Sequence, residues 1–119
     1  MADETIAVEI TGNIAVVTLN ISEITLELSE KLPADVTFLA CNQPGLSVVL
    51  DMSAVTFLGS LGLTTLVILH KRLREAKRRF LVVGLAGQAM RVMEITHMTK
   101  VFDLHADLPS ALAALQNQG

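Results

Sequence analysis

The sequence predicts an α/β domain with parallel strands at its centre, and three stretches of the chain support this prediction. The first is a short apolar run, Ser47–Asp51, whose length and β-branched residues are typical of a strand buried on both faces. The second, residues 63–73, has apolar side chains at the spacing of an amphipathic helix. The third is another apolar run, residues 80–83, which ends at Gly84. Strand, helix and strand in this order predict two parallel strands joined by a right-handed crossover.

The chain begins with a pattern typical of a β-hairpin. Apolar residues alternate with others before Gly12 and Asn13, and an apolar run resumes at residues 14–19. Glycine and asparagine tolerate the positive φ angles that a two-residue hairpin turn requires. The hairpin therefore extends over residues 5–19.

A helix is predicted after the loop at residues 20–25, because apolar residues recur at 32, 36 and 39. Pro33 limits where this helix starts, since proline is tolerated in the first turn of a helix but not in its interior. We therefore predict a start near Ser29 and an end before the Gln-Pro-Gly turn signal at 43–45. A start at Thr25 would instead predict a kinked helix.

Two further helices are predicted towards the end of the chain. Within residues 86–96, Ala89, Val92, Met93 and Thr96 recur at the spacing of a helix face. The last helix begins with Asp107 as its N-cap and Pro109 in its first turn, and packs through residues 111–115.

Length and composition limit the class of protein. A chain of 119 residues is long enough for one domain with a single core, and 51% of its residues are apolar but only 3% aromatic. The absence of Trp and Tyr and the net charge of −3 argue against nucleic-acid binding, which needs aromatic side chains beside basic ones.

The same sequence predicts a cytoplasmic protein. Its apolar run at residues 61–69 is too short to cross a bilayer, so no membrane insertion is expected. The first residues lack the basic and apolar segments of a secretory signal. Cys41 is the only cysteine, which fits a reducing compartment, and we expect it to be a buried structural residue.

Residues 52–62 form the loop in which function is expected, because loops at the carboxyl ends of parallel strands meet helix N-termini. Ser60 lies where the next helix should begin, and its type favours an N-cap. The alternative is a modified serine, since a phosphate suits the positive end of a helix. The same charge would break an apolar contact made by Leu58 and Leu61 with a partner.

The run from Asp51 to Leu63, DMSAVTFLGSLGL, resembles the signature of the STAS domain as found in bacterial anti-sigma factor antagonists, typically D-L-S-x-V-x-F-x-D-S-S-G-L. The likeness continues over nearly the whole chain, with residues 80–85, 91–96 and 101–102 resembling the family's next strand, third helix and last strand. It implies one domain, residues 1–119, in which a mixed sheet of four to five strands is flanked by about four helices.

The resemblance also implies a function. Ser60 matches the family's phosphoacceptor serine, while Gly59 replaces its acidic residue and Leu61 its second hydroxyl residue. A protein of this kind binds an anti-sigma factor, typically a serine kinase, and is switched off when that kinase phosphorylates Ser60. The partner-binding residues implied by the resemblance are Met52, Leu58, Gly59, Leu61 and Gly62.

A second interpretation keeps the fold but assigns the chain to a non-enzymatic scaffold or accessory subunit, in a stress-signalling complex or beside a lipid-transport ATPase. The apolar loop left by Gly59 and Leu61 would suit a permanent interface as well as a reversible one. A homodimer is compatible with either interpretation. A third hypothesis is a small-ligand pocket under the loop.

Catalytic and metal-binding patterns are not found in the sequence, so we predict neither an enzyme nor a cofactor or metal site. The three histidines lack metal-ligand spacing, and the glycines around Ser60 do not form a nucleotide-binding P-loop. Asp51 is expected to cap the following loop. His97 stands where the family has Gly, which implies a left-handed cap residue rather than a ligand.

The central helix ends in a basic cluster, which holds six of the nine basic residues of the chain. Cations suit the negative end of a helix dipole, and we favour this interpretation over electrostatic steering toward an acidic partner. The members of the cluster are Lys71, Arg72, Arg74, Lys77, Arg78 and Arg79.

Overall fold

A computed structural model describes residues 5–116, and this part of the chain contains five strands and four α-helices. The prediction of a mixed sheet with about four flanking helices is confirmed. The strands are β1 (Ile6–Thr11), β2 (Ile14–Leu19), β3 (Ser47–Asp51), β4 (Phe80–Val83) and β5 (Asp103–His105). The helices are α1 (Leu26–Asn42), α2 (Ser60–Glu75), α3 (Gly87–Ile95) and α4 (Leu108–Gln116), with a 3₁₀ turn at Met98–Lys100.

The five strands form one sheet in the order β1, β2, β3, β4, β5. Strand β1 is antiparallel to β2, and every other pair is parallel. The predicted hairpin is therefore present, and its turn places Gly12 at φ 61°, a value that glycine adopts without steric cost.

Helices cover both faces of the sheet, which buries all of β4 and the middle of β3. Helices α1, α2 and α3 contribute to the larger core together with Leu50 and Val82, whereas α4 packs its Ala111 against Val49 and Leu81 on the opposite face. Strand β4 is buried throughout, as an all-apolar central strand between two helical layers should be.

Helix α1 begins at Leu26, so the predicted start near Ser29 is wrong. The Oγ1 atom of Thr25 accepts a hydrogen bond of 3.2 Å from the backbone N–H of Leu28, which caps the helix one turn earlier. Pro33 consequently lies in the helix interior, where it is buried. Packing of the apolar face around Leu32 offsets the backbone bond that the proline cannot make.

Helix α2 ends in a left-handed cap that the sequence pattern did not indicate. Lys77 has φ 60°, its backbone N–H donates to the carbonyl of Arg74, and the N–H of Arg78 donates to the carbonyl of Leu73. These two hydrogen bonds form a Schellman motif, in which glycine is the usual left-handed residue.

The C-terminal region follows the prediction except in the position of its strand. His97 is left-handed at φ 61°, as implied, and Asp107 accepts a 3.0 Å hydrogen bond from the N–H of Ser110, as expected of an N-cap. The last strand is β5 and not residues 101–102. Phe102 instead turns into the core, where its ring centroid lies 5.2 Å from that of His70.

Cys41 is exposed, so the prediction of a buried structural cysteine is wrong. It lies in the last turns of α1 next to Ala40, which is the residue that faces the core there. Within residues 5–116, none of the helices combines the length and apolar character needed to span a membrane.

Candidate functional site

Ser60 is the first residue of α2, and its side chain does not cap the helix. The N-cap is Gly59, which has no side chain that could accept a hydrogen bond, so the capping interpretation of Ser60 is wrong. Ser60 is exposed, and within the described part of the chain its hydroxyl oxygen has no hydrogen-bond partner. The hydroxyl is thus presented to solvent at the positive end of a helix of 16 residues.

The loop that leads to Ser60 is held to the sheet at its start. The carboxylate of Asp51 accepts hydrogen bonds from the backbone N–H, at 3.0 Å, and from the hydroxyl of Ser53. This confirms Asp51 as a loop cap. The N–H of Met52 donates to the carbonyl of Val83 at 2.9 Å, which ties the loop to β4. The loop therefore leaves β3 in a fixed direction.

Further along, two contacts hold the middle of the loop. The carbonyl of Ser22 accepts hydrogen bonds from the N–H groups of Thr56, at 2.9 Å, and Phe57, at 3.2 Å. Gln88 of α3 binds both backbone groups of Leu58: its Oε1 accepts from the N–H at 2.6 Å, and its Nε2 donates to the carbonyl at 3.1 Å. The loop just before Ser60 is therefore fixed to both α3 and the segment before α1.

No local sequence pattern predicts the role of Gln88. The residue is 30 positions from Leu58 and lies in the first turn of α3, where a glutamine has many ordinary explanations. Only the folded chain brings its amide against the backbone of the loop.

Three of the predicted partner-binding residues are buried, so they cannot form a contact surface in this structure. Met52 is 0% and Leu58 1% exposed, and both belong to the main core. Gly62 is also buried: a Cβ atom at this position would lie 2.7 Å from Cδ1 of Leu58. These residues support the loop from below, because the strand-to-helix connection must pack against the sheet.

The side chains of the loop fill the space beneath it, which argues against the small-ligand hypothesis. Met52, Val55 and Leu58 are between 0% and 3% exposed and pack into the core. The pockets described for residues 5–116 have volumes of about 210 to 360 Å³ and are lined by residues outside the loop.

Exposed apolar side chains precede and follow Ser60 and continue along α2. Ser60, Thr64 and Val67 follow one row of the helix, and Leu61 and Ile68 follow the adjacent row, since residues three, four or seven apart share a face. We call the exposed apolar members of this surface the apolar strip. They are Phe57 (46% exposed), Leu61 (39%), Val67 (39%) and Ile68 (37%).

The basic cluster lies at the other end of α2, a distance of about 24 Å for a helix of this length. Arg78 donates from Nε to the carbonyl of Ala40 at the end of α1, at 3.2 Å, and Arg79 lies 3.5 Å from the carboxylate of Asp103. These cations therefore interact with helix ends and a strand rather than with the Ser60 loop.

The groups whose pKa is shifted also lie outside the loop. Burial and, to a smaller extent, the nearby Arg74 lower the pKa of His70. Hydrogen bonds from the side chain and backbone of Ser110 lower the pKa of Asp107. Among residues 5–116, no three His, Cys, Asp or Glu side chains are grouped to hold a metal ion. The chemistry that this site offers is that of one accessible hydroxyl in an apolar surface.

The family is decided by the match of the chain to a family profile. The profile of the STAS domain matches residues 5–111. The chain belongs to the STAS domain family. This STAS protein is 30% identical to an anti-sigma factor antagonist from Mycobacterium paratuberculosis whose crystal structure is known. The match covers 94% of this chain and 93% of that one, with a TM-score of 0.80.

More distant structures share the fold. An anti-sigma-factor antagonist (STAS) domain protein from Planctomyces limnophilus is 20% identical over 93% of this chain and 97% of its own, with a TM-score of 0.75. The murine Solute Carrier 26 family member A9 anion transporter is 18% identical over 92% of this chain but only 18% of its own, with a TM-score of 0.73. The STAS fold thus occurs both alone and within much longer chains.

Proposed function

We propose that this STAS protein is an anti-sigma factor antagonist, which binds an anti-sigma factor through the Ser60 loop and is switched off by phosphorylation of Ser60. The observation that carries the proposal is the exposed Ser60 hydroxyl, which has no hydrogen-bond partner among residues 5–116 and lies within the apolar strip. The 30% identical antagonist from Mycobacterium paratuberculosis supports the same assignment.

Ser60 is suited to be a kinase substrate because its modification requires no change in the fold. Its hydroxyl caps nothing, so a kinase that takes its proton breaks no structural bond. A phosphate at this position meets the unpaired N–H groups of the first helical turn and the positive end of the helix dipole. The phosphorylated protein should therefore remain folded.

Phosphorylation ends binding in this proposal because the added charge lies in the apolar strip. A phosphoserine carries a charge of about −1.5 to −2, and burying it against Phe57 and Leu61 removes it from water without a cationic partner from this chain. A penalty of about 2.8 kcal/mol would lower the affinity roughly 100-fold. The unmodified hydroxyl carries no such cost.

The two departures from the family signature give the proposed interface an apolar character. A Cβ atom on Gly59 would lie 3.1 Å from Cε2 of Phe57, so glycine allows the Phe57 ring to lie against the backbone beside Ser60. Leu61, 39% exposed, replaces a hydroxyl residue. We infer that the partner recognises this loop through apolar contacts where relatives with the full signature offer an acidic and a second hydroxyl group.

In this proposal the chain is not an enzyme and needs no cofactor. The anti-sigma factor supplies the nucleotide and the catalytic groups, and Ser60 is the substrate. A cytoplasmic location is part of the proposal, because an exposed single cysteine, Cys41, is best tolerated in a reducing compartment.

The proposal is tested by incubating the protein with a candidate anti-sigma factor kinase and ATP and measuring its mass. We expect a gain of one phosphate that is lost in Ser60→Ala and retained in Ser53→Ala, which removes another exposed hydroxyl of the same loop. Binding is measured separately with Ser60→Asp and with the uncharged, equally large Ser60→Asn. The aspartate variant should bind much more weakly than the asparagine variant.

A second candidate function is a permanent scaffold or accessory subunit, and the exposed apolar strip favours it. Apolar surface along α2 suits an interface that is never released. In that case cognate kinases would leave Ser60 unmodified, and Ser60→Asp and Ser60→Asn would bind the partner equally well. That pair of results would replace the switch by the scaffold.

A further inference from the structure

Strand β1 is an outer strand of the sheet, and no other strand within residues 5–116 pairs with its outer edge. The carbonyl of Thr5 accepts a 2.8 Å hydrogen bond from the N–H of Asn20. In an antiparallel ladder every second residue forms backbone hydrogen bonds with the neighbouring strand. Since Thr5 does so, Ala7, Glu9 and Thr11 also bond to β2. The backbone N–H and carbonyl groups of the intervening residues therefore point away from the sheet. These residues are Ile6, Val8 and Ile10.

The same three residues place apolar side chains on one face of the sheet. In the register of the hairpin they are opposite Leu19, Val17 and Ala15, all of which are buried. Val8 is nevertheless 50% and Ile10 41% exposed, because the sheet formed by residues 5–116 ends at β1. A cleft of about 210 Å³ separates Ile6 and Val8 from α1. The open backbone edge thus coincides with an uncovered apolar row.

The opposite edge of the sheet is protected against pairing with another strand, whereas the outer edge of β1 is not. Strand β5 has three residues, and the carboxylate of Asp103 lies 2.9 Å from Nε2 of His105 and 3.5 Å from Arg79. Short length and charge are the usual means by which proteins prevent edge pairing. Strand β1 has six residues and a single charge, Glu9.

We propose that β1 pairs with β1 of a second copy of this chain, antiparallel and centred on Val8, to form a two-fold symmetric dimer with a continuous sheet. In this register Val8 is opposite Val8 of the second copy, and Ile6 is opposite its Ile10. The outward-pointing N–H and carbonyl groups of each residue then bond to those of the residue opposite. Glu9 is opposite Ala7 of the second copy, which keeps the two carboxylates apart. A register centred on Glu9 would instead place the two Glu9 carboxylates opposite each other.

The dimer leaves the proposed partner site accessible. The two-fold axis reverses the direction of every strand in the second copy, so the two Ser60 loops lie at opposite ends of the continuous sheet. One dimer can therefore engage two partners, and the dimer itself does not depend on the function proposed for Ser60.

The oligomeric state is measured by sedimentation velocity over a range of concentrations, with far-UV circular dichroism as a check of folding. The wild-type protein should be a dimer, and Val8→Lys and Val8→Pro should raise the dimer Kd by about tenfold or more. Proline at this position removes an N–H that β2 does not use, so the monomer should still fold. The matched control Ala7→Lys faces Glu9 of the second copy and should leave the dimer intact.

The register is tested by cross-linking in a Cys41→Ser background, which removes the exposed native thiol. Val8→Cys should form an intermolecular disulfide, because a hydrogen-bonded pair has its Cα atoms about 5.5 Å apart. Ile10→Cys should not, since the two copies of residue 10 would be about 14 Å apart along the strand. Any of three results would overturn the proposal. The wild-type protein could be a monomer at every concentration, the dimer could survive both Val8 substitutions, or cross-links could form through residue 10 but not through residue 8.

Discussion

Replacing Gln88 with alanine tests whether the α3 amide holds the Ser60 loop in place. The substitution removes the only described partners of the Leu58 N–H and carbonyl groups, which lie 2.6 and 3.1 Å from the amide atoms. Leu58 is 1% exposed, so its backbone cannot turn outward to reach water. The loop should lose stability as a result.

The expected cost is worked from these two hydrogen bonds. A buried polar group left without a partner costs about 1 to 3 kcal/mol. Gln88 is itself only half-buried, so water can enter the space that its amide leaves and replace part of each bond. We therefore take the lower limit for each group and expect a loss of about 2 kcal/mol in the free energy of unfolding.

The assay is urea unfolding followed by far-UV circular dichroism, because the chain has neither Trp nor Tyr for fluorescence. Gln88→Met is the matched control: it keeps the aliphatic volume and removes both hydrogen bonds, so it should be destabilised nearly as much as Gln88→Ala. Hydrogen exchange at the Leu58 amide should accelerate in both variants. A Gln88→Ala protein within about 0.5 kcal/mol of the wild type would refute the reasoning.

Two further predictions concern helix ends. Lys77→Gly should raise the free energy of unfolding by about 1 kcal/mol, because Lys77 has φ 60° and glycine avoids the Cβ clash of that conformation. The control Lys77→Ala keeps the Cβ atom and should show no such gain in the same urea assay. Asp107 has a pKa below the ordinary 3.8 in the folded protein, so its contribution to stability is present above that pH and is lost as the pH falls through the lower folded-state value. Asp107→Asn keeps a capping oxygen that does not titrate. The difference in the free energy of unfolding between this variant and the wild type should therefore shrink as the pH falls. A difference that does not change with pH would contradict the assignment.

Much of the architecture could be predicted from local patterns. The alternation in the hairpin, the apolar run of β3 and the helical spacing after Ser60 each reflect a periodicity that the backbone geometry imposes. The signature from Asp51 to Leu63 then led to the STAS family, which the profile match confirms. The same reasoning failed at α1, because the tertiary packing of its apolar face outweighs the local penalty of Pro33.

The candidate site could be predicted only in part. The location of Ser60 at the start of α2 followed from the helical pattern, but its lack of a capping bond depends on Gly59 taking the N-cap position. Leu58 and Leu61 are both leucines close to Ser60, and the sequence cannot tell that one is 1% and the other 39% exposed. Their difference arises from the direction in which the loop crosses the end of the sheet.

The sequence by itself thus determined the order of strands and helices, the family and the residue at which function is proposed, since these depend on neighbours along the chain. Only the tertiary structure decided which side chains of the loop are buried, that Gln88 holds the loop in place, and that β1 has an open apolar edge. These features arise where residues far apart in the chain are brought together. Hydrogen bonding and exclusion of water act between such residues only after the sheet and its helices have packed.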